Sequence, residues 1–259
     1  MPRRNKNVQP QRSKNQPRRN ARPGNKGGYN DRYSDVPVQD FYEEVPQDLR
    51  EFKVKPLRAL TEAQGQYIAA ISSKTIVFGA GPAGTGKSYV SIALACEQFM
   101  AKQIDKIILT RPMSEVGRKI GDVPGFVEDK YAPYIDPVLS IFYERLGISQ
   151  TKMFLKNHRI EAKPLELMRG VTFKDCTVIL DEAQNTTKEQ MKMFLTRIGD
   201  NCNVVVNGDI EQTDLRGVSG MEDAVKRFYG VPDVEIVEFD EDDIVRSGIV
   251  RAVIKAYRN

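Results

Sequence analysis

The sequence predicts an α/β domain on a mostly parallel sheet, and three observations carry that prediction. Short apolar runs rich in β-branched residues alternate with longer segments of helical periodicity, the pattern that builds a parallel sheet. Between the first run, Lys74-Thr75-Ile76-Val77-Phe78, and a helical segment from Tyr89 to Met100 stands Gly81-Pro82-Ala83-Gly84-Thr85-Gly86-Lys87-Ser88, a G-x-x-x-x-G-K-[ST] loop. A later apolar run, Thr177-Val178-Ile179-Leu180, ends in two carboxylates, Asp181 and Glu182.

Composition sets the bounds. The chain has 259 residues and a net charge of +4, unevenly placed. Nine of its 39 basic side chains lie in residues 1–30, which hold no acidic one, so the remainder carries 30 basic against 35 acidic residues. Residues 1–35 are Arg-, Lys-, Asn-, Gln-, Pro- and Gly-rich, with little to bury, and are expected to be a disordered basic arm. Such an arm either binds a polyanion without sequence selectivity or simply solubilises the chain. Residues 36–58 read as a linker and 59–259 as the folded domain. No apolar run approaches a membrane span, and the charged N-terminus is followed by no signal-like apolar stretch. The three cysteines, Cys96, Cys176 and Cys202, are expected to be separate buried thiols in a reducing, cytoplasmic setting. His158 is the only histidine, which argues against a His-ligated metal or a Ser-His triad.

The elements follow in order. Thr61 is placed to cap a helix running to about Ile71, with Leu60 as a staple before it. On it, Gln64 and Tyr67 share a face. Gln64 either reads an adenine edge or is an exposed polar helix residue. In the loop, Gly81, Gly84 and Gly86 let backbone N–H groups turn onto a polyphosphate, and the following helix adds its positive end. Lys87 is expected on the β- and γ-phosphates, and Ser88 on Mg²⁺. The nucleotide-contacting set is thus Gln64, Gly81, Pro82, Ala83, Gly84, Thr85, Gly86, Lys87, Ser88 and Tyr89.

The strand Lys106–Thr110 ends at Arg111-Pro112, and Arg111 faces the ligand end of such a sheet. Gly117 to Gly125 reads as an irregular substrate loop. Val127 to Leu146 is helical in pattern but contains Pro133 and Pro137, which predict a break or kink. Its aromatics, Tyr131, Tyr134, Phe142 and Tyr143, are spaced for core packing and are also the type that stacks bases. Ile160–Gly170 reads as a short strand and a loop bearing Arg169. Asp181 is expected to hold Mg²⁺ through water and Glu182 to polarise the attacking water; two acids at a buried strand end call for a cation. A helix follows from Lys188 to Ile198. The strand Asn203–Asn207 then leads to Gly208-Asp209, with Asn207 and Gln212 as candidate γ-phosphate sensors. The strand Val234–Phe239, the acidic turn Asp240–Asp243, Arg246 and a final helix from Gly248 to Tyr257 close the domain.

Several of these segments together resemble one family. They are the Gly81–Ser88 loop, Arg111-Pro112, Gly117-Arg118-Lys119, Met168-Arg169-Gly170, the stretch from Val178 through Thr187 to Gly199, and Gly208-Asp209 with Gln212. Over roughly residues 57–259 the chain resembles the PhoH family of P-loop ATPases, most closely from Asp181 to Gly199. That resemblance implies a RecA-like P-loop NTPase fold with a five-stranded sheet, similar to the first motor lobe of superfamily 1 helicases. It implies ATP and Mg²⁺ as cofactors, association with single-stranded RNA or DNA, and a link to phosphate starvation. In the helicase lobe, Gln64 matches an adenine-reading glutamine and Gly208-Asp209-x-x-Gln212 the third motif. Asn207 departs from the threonine often found in related sequences. No additional nuclease or KH-like segment is seen, so the basic arm is expected to be the dedicated nucleic-acid handle. Because a helicase grips ATP between two lobes and one is seen here, a homo-hexameric head-to-tail ring is expected. In it a neighbour supplies an arginine, Arg246 or Arg169, worth roughly 10³–10⁵ in rate. Two other readings share the loop: a nucleotide-dependent regulatory ring that hydrolyses slowly without moving, and a small-molecule kinase.

Overall fold

The computed structural model describes residues 56–113, 127–215, 217–245 and 248. Six strands form one sheet in the order β3-β2-β4-β5-β1-β6, and every pairing is parallel. They are β1 (Ile76–Ala80), β2 (Lys106–Arg111), β3 (Ile160–Pro164), β4 (Cys176–Leu180), β5 (Cys202–Gly208) and β6 (Val234–Glu238). The sequence predicts a five-stranded sheet; the short strand it places from Ile160 is the sixth member, Ile160–Pro164, which joins the edge beside β2. Its interior is half-buried and its last residue is proline, features an edge tolerates and a central strand does not.

The strand sequences alternate between two cores. Val77, Ile107, Leu109, Ile179, Val205 and Val237 face one side, where α1 (Glu62–Ser73), α2 (Lys87–Met100), α3 (Val127–Leu146) and α4 (Ile148–Lys156) cover them. Phe78, Ile108, Val178, Leu180, Val204 and Val206 face the other, under α5 (Lys188–Leu195) and α6 (Gly220–Phe228). Near-continuous apolar runs are therefore required, since both faces of each central strand are buried.

Thr61 does cap α1, its hydroxyl accepting from the Gln64 N–H at 3.2 Å, but Leu60 is 72% exposed and staples nothing. Despite Pro133 and Pro137, α3 runs unbroken. Phe142 is wholly core and Tyr143 half-buried. The helix after Asp181-Glu182 stops at Leu195 instead of Ile198 and opens on a Thr187–Gln190 capping box. Two helices escape the sequence reading, α4 and α6. For α6 the signal is present: Ser219 stands three residues before Glu222 and accepts its N–H at 3.1 Å. All three cysteines are buried and free. They are not all separate: Cys176 and Cys202 are register partners on β4 and β5, with sulfurs 3.8 Å apart. Among the described residues no helix is long and apolar enough to cross a membrane. The basic arm, the loop Gly117–Gly125, Arg246 and the final helix beyond Gly248 lie outside the described residues.

Candidate nucleotide site

All six strands run the same way, so the ends of β1, β4 and β5 open on one crevice. A cavity of about 260 Å³ lies there. Its walls are Ala83, Gly84 and Gly86 through Tyr89 on one side, and Asp181, Glu182, Gln184, Gly208, Asp209 and Gln212 on the other.

The first wall is made by backbone. Gly84 and Gly86 take φ of 90° and 85°, conformations that favour glycine. The loop is anchored from behind: Gly81 N–H donates to Gly208 O at 3.1 Å, Val245 N–H to Gly84 O at 3.1 Å, and Gln64 Nε2 to Thr85 O at 2.9 Å. Lys87 opens α2 and its ammonium donates to Gly81 O at 2.7 Å, Pro82 O at 2.8 Å and Thr85 Oγ1 at 3.1 Å. Burial pushes that ammonium down from the ordinary lysine range, while the carboxylates of Asp209, Asp181 and Glu182 pull it back up. Three acids facing one buried cation give the crevice a positive point inside a negative rim.

The second wall is made by side chains. Asp181, 2% exposed at the tip of β4, receives Ser88 Oγ–H at 2.7 Å on one oxygen and Arg111 Nε–H at 3.0 Å on the other. Arg111, at the tip of β2, thus meets the acid directly. Glu182 is exposed at the crevice and sits at φ 56°, ψ 39°, an uncommon backbone for a non-glycine residue and one that clusters at functional sites. Gln184 donates through Nε2 to Glu182 Oε2 at 2.7 Å and accepts the Asp209 N–H on Oε1 at 3.1 Å. It therefore ties the tip of β4 to the tip of β5. Asp209 is buried, and its Oδ2 has no hydrogen-bond partner among the described residues.

The remaining sequence candidates are distributed less evenly. Gln212 lines the cavity and is exposed. Asn207 lies on β5, between the loop-bearing β1 and the acid-bearing β4, but is buried and not among the residues that line the cavity. It accepts from the Tyr67 hydroxyl and donates to Ser91 Oγ at 3.0 Å. Gln64 is behind the loop and 2% exposed. Arg169 is exposed after β3, away from the cavity lining. Gln184 and Asp209 complete the second wall; Asp209 stands in the stretch that resembles the helicase third motif and Gln184 in the family-like stretch after Asp181, but neither is among the site residues the sequence predicts. A Gln two residues past a strand-end acid pair is the only local hint of the former.

These residues fit a magnesium–polyphosphate group. The glycine-lined cradle suits phosphate oxygens, Ser88 Oγ lies beside an Asp181 oxygen, and Asp209 adds a further carboxylate to the cavity wall. Magnesium characteristically takes one or two protein oxygens and completes its shell with phosphates and water.

Comparison with known proteins finds one family. The PhoH-like protein family model matches residues 56–258. The chain is 46% identical over 206 residues to Protein PhoH of Escherichia coli (strain K12), covering 78% of this chain and 58% of that protein. It is 41% identical over 221 residues to the PhoH-like protein of Bacillus subtilis (strain 168), covering 85% of this chain and 69% of that one. It thus spans about three-fifths of the length of the first of these relatives. Among solved structures, the UvsW helicase from bacteriophage T4 is a remote likeness, at 11% identity and a TM-score of 0.46 over 80% of this chain and 69% of that one. On the match over residues 56–258 and these identities, the chain belongs to the PhoH family.

Proposed function

We propose that this chain is a Mg²⁺-dependent ATPase that couples hydrolysis to binding or movement on single-stranded RNA or DNA. The observation that carries the reading is the 2.7 Å contact between Ser88 of the loop and Asp181 of β4, with Glu182 exposed into the same cavity. The loop amides and Lys87 bind and orient the triphosphate. Ser88 and Asp181 would hold the metal, which would supply neutralisation of charge on the phosphate oxygens. Glu182 takes a proton from the attacking water, with its carboxylate held by Gln184.

Nucleic-acid coupling rests on the family and on the basic arm. Residues 1–30 hold nine basic side chains, which would grip phosphates in a salt-dependent way. In this reading the protein is cytoplasmic and works as a homo-hexameric head-to-tail ring, and a neighbour's arginine completes each site. Arg169, exposed past an edge strand, and Arg246 are the candidates. Mixing Lys87→Ala subunits with arginine-variant subunits tests this: one arginine variant regains turnover in the mixture, whereas failure of both, with an active monomer in sedimentation, refutes the shared site.

The central test is ATP turnover with and without single-stranded RNA or DNA, in the full chain, in Glu182→Gln and in a chain lacking residues 1–35. Turnover should rise with nucleic acid, fall by about 10²–10⁴-fold in Glu182→Gln, and lose its stimulation without the arm. Turnover indifferent to RNA and DNA alike refutes the coupling.

A further inference from the structure

On the core-facing stripe of α1, where Tyr67, Ala70 and Ile71 are buried, stands Gln64, itself 2% exposed. A carboxamide in that position must have both ends satisfied. They are: Oε1 accepts the Leu60 N–H at 2.9 Å, and Nε2 donates to Thr85 O at 2.9 Å in a buried hydrogen bond. Reading an adenine edge requires the same donor and acceptor together, turned toward the base. Here they are turned toward the protein's own backbone. Gln64 is absent from the cavity wall and lies behind the loop, against Gly86. A Cβ at Gly86 would stand 2.8 Å from Gln64 Nε2, so the amide occupies the space that this glycine leaves.

We propose that Gln64 is a positioning residue that latches the phosphate-binding loop through Thr85 O, and that it takes no part in recognising the base. Its bond fixes the carbonyl one residue before Gly86, where the chain turns from loop into α2 at φ 85°. That turn aims the first amides of α2 and Lys87 into the cavity. Gln64 therefore supports binding of the triphosphate whatever base is attached, and its removal weakens every ligand that carries the same phosphates. This inference rests on the nucleotide-site reading above and narrows it: selectivity for ATP, where present, comes from other residues.

The test compares equilibrium binding of ATP, GTP and inorganic tripolyphosphate, each with Mg²⁺, to the full chain and to Gln64→Met and Gln64→Glu. A thioether and an ionised carboxylate both lack the N–H that Thr85 O accepts, whereas Gln64→Glu keeps an acceptor for the Leu60 N–H. All three ligands should weaken by about five- to tenfold, the effect of one hydrogen bond, and by the same factor. The base-free tripolyphosphate is decisive, because a residue that reads bases has nothing to read on it. Loss confined to ATP, with GTP and tripolyphosphate unaffected, overturns the proposal, as does no change in any of the three. A second measurement needs no variant. In the ¹⁵N-labelled wild-type chain, the Gln64 side-chain amide resonance should move alike with ATP, GTP and tripolyphosphate; a shift with ATP alone overturns the latch. If the wild-type chain binds none of the three, the nucleotide-site reading itself fails and takes the latch with it.

Discussion

The two walls of the crevice are built from different material. The loop wall is backbone: glycines at positive φ, carbonyls pinned from behind, and one lysine. The strand-tip wall is side chain: Asp181 against Ser88 and Arg111, and Gln184 spanning Glu182 and Asp209. A backbone wall needs particular residues at fixed intervals along one segment, so it leaves a contiguous motif. A side-chain wall recruits residues from β2, β4, β5 and α2, and its bonds appear only when those tips converge. The difference also divides the work. The first wall holds the ligand, and the second is placed to act on it.

The sharpest way to break that division is Glu182→Gln. If the second wall acts while the first holds, turnover falls by about 10²–10⁴-fold while ATP affinity stays within a few-fold. A parallel loss of affinity, measured by titration calorimetry, would show that the walls do not divide in this way.

Next in size is Gly81→Ala. Its φ of 145° is strained for any side chain, and a Cβ there would stand 2.2 Å from Phe239 O. Backbone strain of about 1–3 kcal/mol plus the clash gives a loss above ~3 kcal/mol, or roughly 6–12 °C in Tm for a domain of this size. Gly170→Ala is the control. It shares the positive φ, at 81°, but meets nothing within 4 Å, and thermal unfolding should show a much smaller drop.

Gln184→Ala tests the second wall alone. Losing a hydrogen bond to a charged carboxylate is worth about 1.5–3 kcal/mol, so kcat should fall by about tenfold or more with KM little changed. A change in KM alone would assign Gln184 to ligand binding.

The smallest effect is expected at Glu161 on the edge strand β3, remote from both walls. Burial alone raises its carboxyl, but hydrogen bonds from Lys163 and Lys106 outweigh burial and hold it below the usual glutamate range. A lowered folded value means stability that is present above the unfolded pKa of about 4.3 and is lost as pH falls through the folded value. Glu161→Gln should therefore cost under ~1 kcal/mol at pH 7, should unfold with a flatter dependence on pH below about 5, and should leave turnover alone. Any effect on turnover would mean that the sheet edge is coupled to the crevice.

Particular residues show how much was legible beforehand. The central strands were readable because burial on both faces demands unbroken apolar runs, as in Thr177–Leu180. The edge strand β3 was not recognised as part of the sheet, because its half-polar interior is what an edge permits. Helix α6 was missed although Ser219 and Glu222 announced it. The loop from Gly81 to Ser88 and the Asp181-Glu182 pair were evident as local strings. Gln184 was not, since its meaning lies in an N–H just past the end of another strand. Asn207 and Gln64 were visible as polar residues in suggestive places, but which way their amides point is a packing outcome.

By itself, then, the sequence determined the parallel α/β class, the phosphate-binding loop and the acids that face it, because each is a pattern of adjacent residues and short-range sterics. Tertiary structure alone decided the partner of each polar side chain. It set Gln64 on Thr85 instead of toward the crevice, Arg111 on Asp181, and Gln184 between two strand tips. Hydrogen bonds between distant segments depend on distances that no spacing along the chain encodes, and burial then makes each of those pairings obligatory.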